Sequence, residues 1–327
     1  MIKIKDKIIK YKKDIIQMLI MLILFVILMI PVPYYISMGG GTILLDEKIE
    51  IANEYESIGS FSSAYVKEGR GRVITYLLSL IVPSYEREKI DKENTLDESE
   101  ASYNKRQSLY FDNSLDEALI VAYKKAERNI TYEENIYISF IDSKAKTNLE
   151  LGDIIEKVNG VRINSIDEII EIIQNSKENK VTITTRDNKE KEATIYEYKN
   201  RKVIGVVLEK SYKTEINDVK FLFSNDEQGP SAGLMIALEI YNSLIKEDIT
   251  YGKKIAGTGT IDIDGNVGEI GGVKDKLIGA VENKADVFIV PSENYSEAQK
   301  IKNEKDLKIR IIGVTSFDEA IEKLKCQ

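Results

Sequence analysis

Hydrophobic positions change their period several times along the chain, and each change marks a different kind of element. From Ile15 to Ile36 no charge occurs, and Met18 to Ile30 is apolar without interruption. At about 1.5 Å per helical residue such a run approaches the ~30 Å of a bilayer core, so it predicts a membrane-spanning helix over 15–36. Pro31 and Pro33 are expected to end that helix, with Tyr34 and Tyr35 at the interface. Lys3, Lys5, Lys7, Lys10, Lys12 and Lys13 against Asp6 and Asp14 predict a basic cytoplasmic tail over 1–14, which places the rest of the chain outside the cell membrane. A cleaved leader would need small residues after the apolar run, and Tyr34-Tyr35-Ile36-Ser37-Met38 offers bulky ones.

Past the run, Gly39-Gly40-Gly41 reads as a hinge, 42–51 and 60–66 as strands, and 73–82 as an apolar helix. The charged stretch 86–100 reads as a solvated loop, and Leu115, Ala118, Leu119 and Ala122 give 115–126 a core-facing helical stripe. These elements fill a juxtamembrane region, 37–132. The period then becomes two, with Ile136, Ile138 and Phe140 on one side of a strand. Leu149-Glu150-Leu151-Gly152-Asp153-Ile154 and Asn159-Gly160 supply turns, and Ser165 with Glu168 forms a capping box before Ile166, Ile169, Ile170 and Ile173 on one helical face. Strands follow over 181–186 and 193–198. This order resembles a PDZ domain over 133–202. The resemblance implies that an extended peptide adds beside Tyr137 and Ile138, in a groove against the helix bearing Ile166 and Ile170. A PDZ fold that only spaces its neighbour is the alternative.

After a strand over 219–223 comes Gln228-Gly229-Pro230-Ser231-Ala232-Gly233, followed by an apolar helix over 234–245. Ser231 thus sits on a strand-to-helix turn, where unpaired N–H groups and the helix dipole favour a developing oxyanion. Gly229 and Gly233 keep side chains clear of an approaching substrate, and Pro230 fixes the turn.

Composition decides what Ser231 can do. The chain has 327 residues, 43% of them hydrophobic, enough for two folded domains. It contains no histidine and one cysteine, Cys326. That removes the usual base of serine and cysteine hydrolases, the usual zinc ligand, any intramolecular disulfide and any CxxC site. A net charge of -8 argues against a nucleic-acid partner. The Gly-x-Ser-x-Gly match therefore cannot operate as an α/β-hydrolase elbow. A lysine can replace histidine as base when burial lowers its pKa. Two Ser-x-x-Lys matches, Ser102 to Lys105 and Ser143 to Lys146, lack the companion motifs of penicillin-recognising enzymes.

The remaining candidates follow Gly257-Thr258-Gly259-Thr260 and Gly271-Gly272-Val273-Lys274-Asp275-Lys276. Gly-Pro-Ser-Ala-Gly, then Thr-Gly, then Gly-Gly-x-x-x-Lys, with an alternating strand and helix tail, resembles the proteolytic domain of Lon-type proteases over 205–325. The resemblance implies Ser231 as nucleophile, Lys276 as base and Thr258 as the residue orienting the lysine, supported by Gly229 and Pro230. Lys274 is the competitor for the base. Many such domains carry an acid three residues before the serine. Gln228 stands there instead, with Asp226 and Glu227 just upstream, so the acid's role is unassigned.

No Gly-x4-Gly-Lys-Ser/Thr phosphate loop occurs, so no ATP use, and neither a cofactor nor a metal is expected. The expected whole is α+β: one transmembrane helix, a PDZ domain and a Lon-type proteolytic domain, resembling PDZ-containing, membrane-anchored Lon-like proteases. The implied activity is Ser–Lys endopeptidase cleavage of secreted peptides or extracytoplasmic segments of membrane proteins. A proteolytically inactive PDZ adaptor is the alternative.

Overall fold

A computed structural model describes residues 11–82, 85–90 and 98–326; most of the predicted basic tail and residues 91–97 of the predicted loop lie outside them. The chain divides into two units, Met1–Gly39 with Val66–Asn94, and Gly40–Tyr65 with Thr95–Gln327. The elements begin with α1 (Lys12–Leu28), β1 (Pro31–Leu44), β2 (Ile49–Ile51), β3 (Ser60–Arg72), α2 (Val73–Leu78), β4 (Glu86–Lys89) and α3 (Glu100–Lys125).

In the first unit, β4 pairs antiparallel with Tyr34–Ser37 of β1, and the Tyr34 and Tyr76 rings lie 5.0 Å apart. None of α1 is buried. The predicted transmembrane helix over 15–36 is not there. The helix spans 17 residues and stops at Leu28, and at ~1.5 Å per residue that is about 25 Å against a core of about 30 Å. Pro31 and Pro33 lie in β1, where neither proline needs the amide hydrogen that a helix would require of it. Among the described residues no helix is long and apolar enough to cross a membrane. With the span fall the single-pass placement, the extracytoplasmic location of the catalytic part and lipid as a partner.

In the second unit the elements continue with β5 (Tyr132–Ile141), β6 (Ile155–Val158), β7 (Val161–Arg162), α4 (Ile166–Asn175), β8 (Lys180–Thr185), β9 (Glu190–Thr194), β10 (Tyr196–Tyr198), β11 (Arg201–Val203) and β12 (Val206–Thr214). β7, β6, β8 and β9 form an antiparallel sheet in that order, and β5 pairs with β12. α4 starts as its sequence requires, with Ser165 Oγ accepting from Glu168 N at 3.2 Å and Glu168 Oε2 accepting from Asn164 N at 2.9 Å. Its Ile169 and Ile173 join Ile138, Val158, Val181 and Ile183 in one apolar core. Each such side chain contributes roughly 1.5–3 kcal/mol on burial.

The rest comprises β13 (Val219–Phe221), a 3-10 turn (Pro230–Ala232), α5 (Gly233–Leu244), β14 (Lys254–Gly257), β15 (Thr260–Ile261), β16 (Val267–Gly268), α6 (Val273–Glu282), β17 (Val287–Pro291), α7 (Ser292–Glu304), β18 (Arg310–Val314) and α8 (Phe317–Lys325). β18, β17, β14 and β3 run parallel in that order. Alternation sorts their side chains onto two faces. Phe61, Ile255, Val287 and Ile289 pack with α5, α3 and α8, whereas Ala64, Ala256, Phe288 and Val290 pack with α6 and α7. A strand covered on both faces reads as a continuous apolar run, which is what Val287-Phe288-Ile289-Val290 is.

Two expectations change in this unit. Helix 115–126 is the second half of α3, whose first half covers a stretch, 101–114, for which the sequence predicts no element. Gly40 and Gly41 of the predicted hinge are also a close-packing surface: a Cβ on Gly279 of α6 would lie 2.6 Å from Gly41 N, and one on Gly40 would lie 2.5 Å from Asp275 O.

Candidate active site

The site forms beyond the carboxyl end of β14, where helices from both faces of the sheet converge, the usual place for a site in an open α/β sheet. From one face comes the turn that opens α5. Gly229 has φ +80° and ψ 157°, a backbone state that glycine reaches without strain, and Pro230 starts the turn with its fixed φ. The carbonyl of Ser231 accepts from Gly259 N at 2.8 Å and from Thr258 Oγ1 at 3.0 Å, so the nucleophile candidate is tied to the end of β14 through its main chain. Gly233 does not face an open cleft; it is buried, and a Cβ there would lie 3.0 Å from Ile261 Cγ2.

From the other face comes α6, whose first turn carries Lys274 and Lys276. Lys276 is 3% exposed. Its Nζ lies 3.0 Å from Ser231 Oγ and 3.1 Å from Thr258 Oγ1. The same Thr258 hydroxyl that receives the lysine donates to Ser231 O, which gives it a defined orientation. Lys274 is half-buried, and residues two apart on a helix do not share a face. α6 is itself placed by Asn294 of α7, which is 2% exposed. Its amide takes Ile270 N on Oδ1 and donates from Nδ2 to Ile270 O, both at 3.0 Å, immediately before the Gly271-Gly272 turn.

α3 also lines the site, a part its sequence does not announce. Gly229 N donates to Gln107 O at 3.0 Å, and Ser114 lies 3.7 Å from where a Gly233 Cβ would be. Burial, together with the charges of Asp262, Asp116 and Glu209, raises Glu117 on the same helix to about 7, against the amide of Asn113. No signal in residues 100–114 marks them as a wall of the site. One of the acids before the turn is also accounted for: Glu227 pairs with Lys48 at 3.2 Å and accepts from Ser224 N at 2.8 Å.

The expected peptide groove on β5 is filled. Tyr137 and Ile138 are 3% and 0% exposed. β12 pairs along one edge of β5, and on the other Ile138 N donates to Asp153 O while Gly152 N donates to Ile138 O. No edge remains at Ile138 for an added strand. Ile166 is half-buried beside the core, and Ile170 is exposed on α4.

Comparison with known proteins matches residues 224–326 to the Lon protease (S16) C-terminal proteolytic domain. The Lon protease of Neorickettsia sennetsu is 32% identical over 98 residues, covering 30% of this chain and 12% of that protein. The Lon protease of Clostridioides difficile is 29% identical over 142 residues, covering 37% and 18% respectively. The match and these relatives support a serine peptidase. The chain spans less than a fifth of the length of either relative. Among solved structures, the PDZ domain of the SdrC-like protein from Listeria innocua is 22% identical, covering 23% of this chain and 92% of that domain, with a TM-score of 0.21, too low to carry a statement about the fold.

Proposed function

We propose that the chain is an ATP-independent endopeptidase in which Ser231 is the nucleophile and Lys276 the general base. The observation that carries the reading is the 3.0 Å contact between Lys276 Nζ and Ser231 Oγ, made by a buried lysine in a chain without histidine. Neutral Lys276 takes the Ser231 proton as Oγ attacks a peptide carbonyl. Pro230 has no N–H and that of Gly229 is given to Gln107 O, so the main-chain N–H of Ser231 itself is the donor read as stabilising the tetrahedral oxyanion, and Lys276 then passes its proton to the leaving amine. Water repeats the sequence on the acyl-enzyme, releasing the acid and restoring Ser231. Thr258 holds the ammonium or amine on the line to Oγ. Without a phosphate loop in this sequence, unfolding of the substrate is not powered here, so exposed peptides and flexible segments are the substrate class.

The 133–202 segment is read as a PDZ-like peptide reader, and the edge read as peptide-binding moves from β5 to β12, the strand that follows the segment and pairs with β5. Tyr212 N and Thr214 N donate away from β5, to Asn113 Oδ1 and Asp116 Oδ1 at 2.9 Å each. By two-residue alternation Leu208 and Lys210 present their N–H groups on the same side, beside which no other strand pairs among the described residues.

Hydrolysis of an unfolded protein or a quenched peptide library tests the function. Ser231→Ala and Lys276→Ala are expected to abolish turnover with unchanged thermal unfolding, while Lys274→Ala keeps it. Normal turnover by Lys276→Ala would remove the lysine from the mechanism.

A further inference from the structure

The segment that delivers Ser231 runs from Leu222 to Gly229 without helix or strand. A nucleophile is useful only if its oxygen keeps hydrogen-bond distance to the base, here 3.0 Å, to within about 0.5 Å, so something must hold this segment. Glu227 is the acid nearest the turn with both oxygens engaged. Oε1 takes Lys48 Nζ at 3.2 Å, and Oε2 takes the N–H and hydroxyl of Ser224. The side chains are 14% and 28% exposed, so the pair is partly shielded from solvent. Burial alone would raise the Glu227 carboxyl, yet the bonds from Ser224 and Lys48 outweigh it and hold the group below its ordinary value. The carboxylate is therefore ionised throughout the range in which a neutral lysine base works.

Lys48 lies between β1 and β2, far from the site in sequence, and it grips the segment twice. Its carbonyl accepts from Leu222 N at 2.8 Å, at the point where β13 has ended. Its ammonium reaches Glu227 five residues later. The next fixed point is Gly229, whose N–H is held by Gln107 O at 3.0 Å. Lys48 and Gln107 both precede residues 224–326, the part that matches the Lon proteolytic domain. The matched segment therefore borrows the supports of its nucleophile turn from the amino-terminal half of the chain.

We propose that Lys48 is a positioning residue for Ser231, acting through Glu227 to fix the approach to the nucleophile turn. The inference rests on the peptidase reading for its catalytic consequence, but not for the anchoring itself. A single ion pair that solvent still reaches in part contributes modestly to global stability, so its loss should loosen the turn without unfolding the protein. A loosened turn lowers the population of the reactive geometry rather than substrate affinity, so kcat falls while KM holds.

The test uses the full chain with Lys48→Ala, Lys48→Arg, Glu227→Gln and the double variant Lys48→Ala/Glu227→Gln. Backbone hydrogen exchange over 224–231 and steady-state peptide hydrolysis are read side by side. Lys48→Ala is expected to speed exchange in that segment roughly tenfold and lower kcat roughly tenfold, with KM within about twofold and thermal unfolding unchanged. Lys48→Arg restores both, and the double variant loses no more than either single one. Unchanged exchange in Lys48→Ala overturns the proposal. So does a kcat loss that Lys48→Arg fails to restore, or single losses that multiply in the double variant. Failure of the peptidase reading shows separately, as a wild-type protein that hydrolyses nothing, and exchange alone then decides whether Lys48 holds the turn.

Discussion

Glu239 lies one turn and a half into α5, eight residues beyond Ser231, on a helix whose neighbours are almost all apolar. It is 7% exposed. Burial first, then the nearby charges of Asp46 and Glu54, push its carboxyl up from 4.5 to about 8, while a bond from Ser243 opposes them. The folded state thus keeps a proton that the unfolded state releases near 4.5. Below that pH both states are protonated and the group costs nothing. Between about 4.5 and about 8 the unfolded chain is favoured by up to ~1.4 kcal/mol per pH unit, and above 8 the penalty is constant. The interval of about 3.5 pH units sets the total at roughly 3–5 kcal/mol, a large share of the stability of a domain. Glu239→Gln keeps the size of the side chain and has no proton to lose. Urea unfolding at pH 5.5, 7 and 8.5 should show the wild type weakening as pH rises and the variant gaining on it by a few kcal/mol at the top of the range. If the two proteins lose stability in parallel, Glu239 is not held protonated and the burial argument is wrong.

Asn294→Ala strands the buried N–H and C=O of Ile270, so it should cost roughly 2–4 kcal/mol in denaturant unfolding, with a lower kcat because the start of α6 shifts. In Gly279→Ala the new methyl meets Gly41 backbone at under 3 Å, which should lower the melting temperature by several degrees and reduce labelling of Ser231, whereas an alanine at Gly69, with open space around it, should be silent. An isotope-labelled peptide library should perturb NMR signals of Leu208 and Lys210 on β12 while leaving Ile138 unmoved; the reverse pattern would return the groove to β5.

The sequence was most informative where chemistry restricts residue type and spacing together. Ser231, Thr258 and Lys276 stand in a motif whose glycines and proline are required by the turns around them, and the three side chains meet in the fold. The strands 287–290 and 310–314 were legible because a strand covered on both faces is apolar at every position. Other features were not legible because they depend on partners distant in the chain. An apolar run predicts a spanning helix by length alone, yet Pro31 begins a strand that pairs with Glu86–Lys89, a stretch of charged residues that reads as loop. Residues 100–114 are polar because α3 there meets polar groups, Glu209 through Tyr110 and Gly229 through a carbonyl, so no apolar stripe announces a helix. β5 alternates as a groove strand would, but alternation does not reveal that β12 and the Gly152 turn occupy its two edges. Gly40 and Gly41 read as a hinge, and nothing local announces that they also press against a helix.

Activation of Ser231 by a buried lysine is tested most directly by the rate at which a serine-directed acylating probe modifies that residue, followed by mass spectrometry of the intact chain and its peptides. One label per chain is expected, on Ser231, absent in Ser231→Ala and slowed roughly a hundredfold or more in Lys276→Met, with Lys274→Met labelling at the wild-type rate. Labelling of Ser231 at an unchanged rate in Lys276→Met, or a label that settles on another residue, would contradict it.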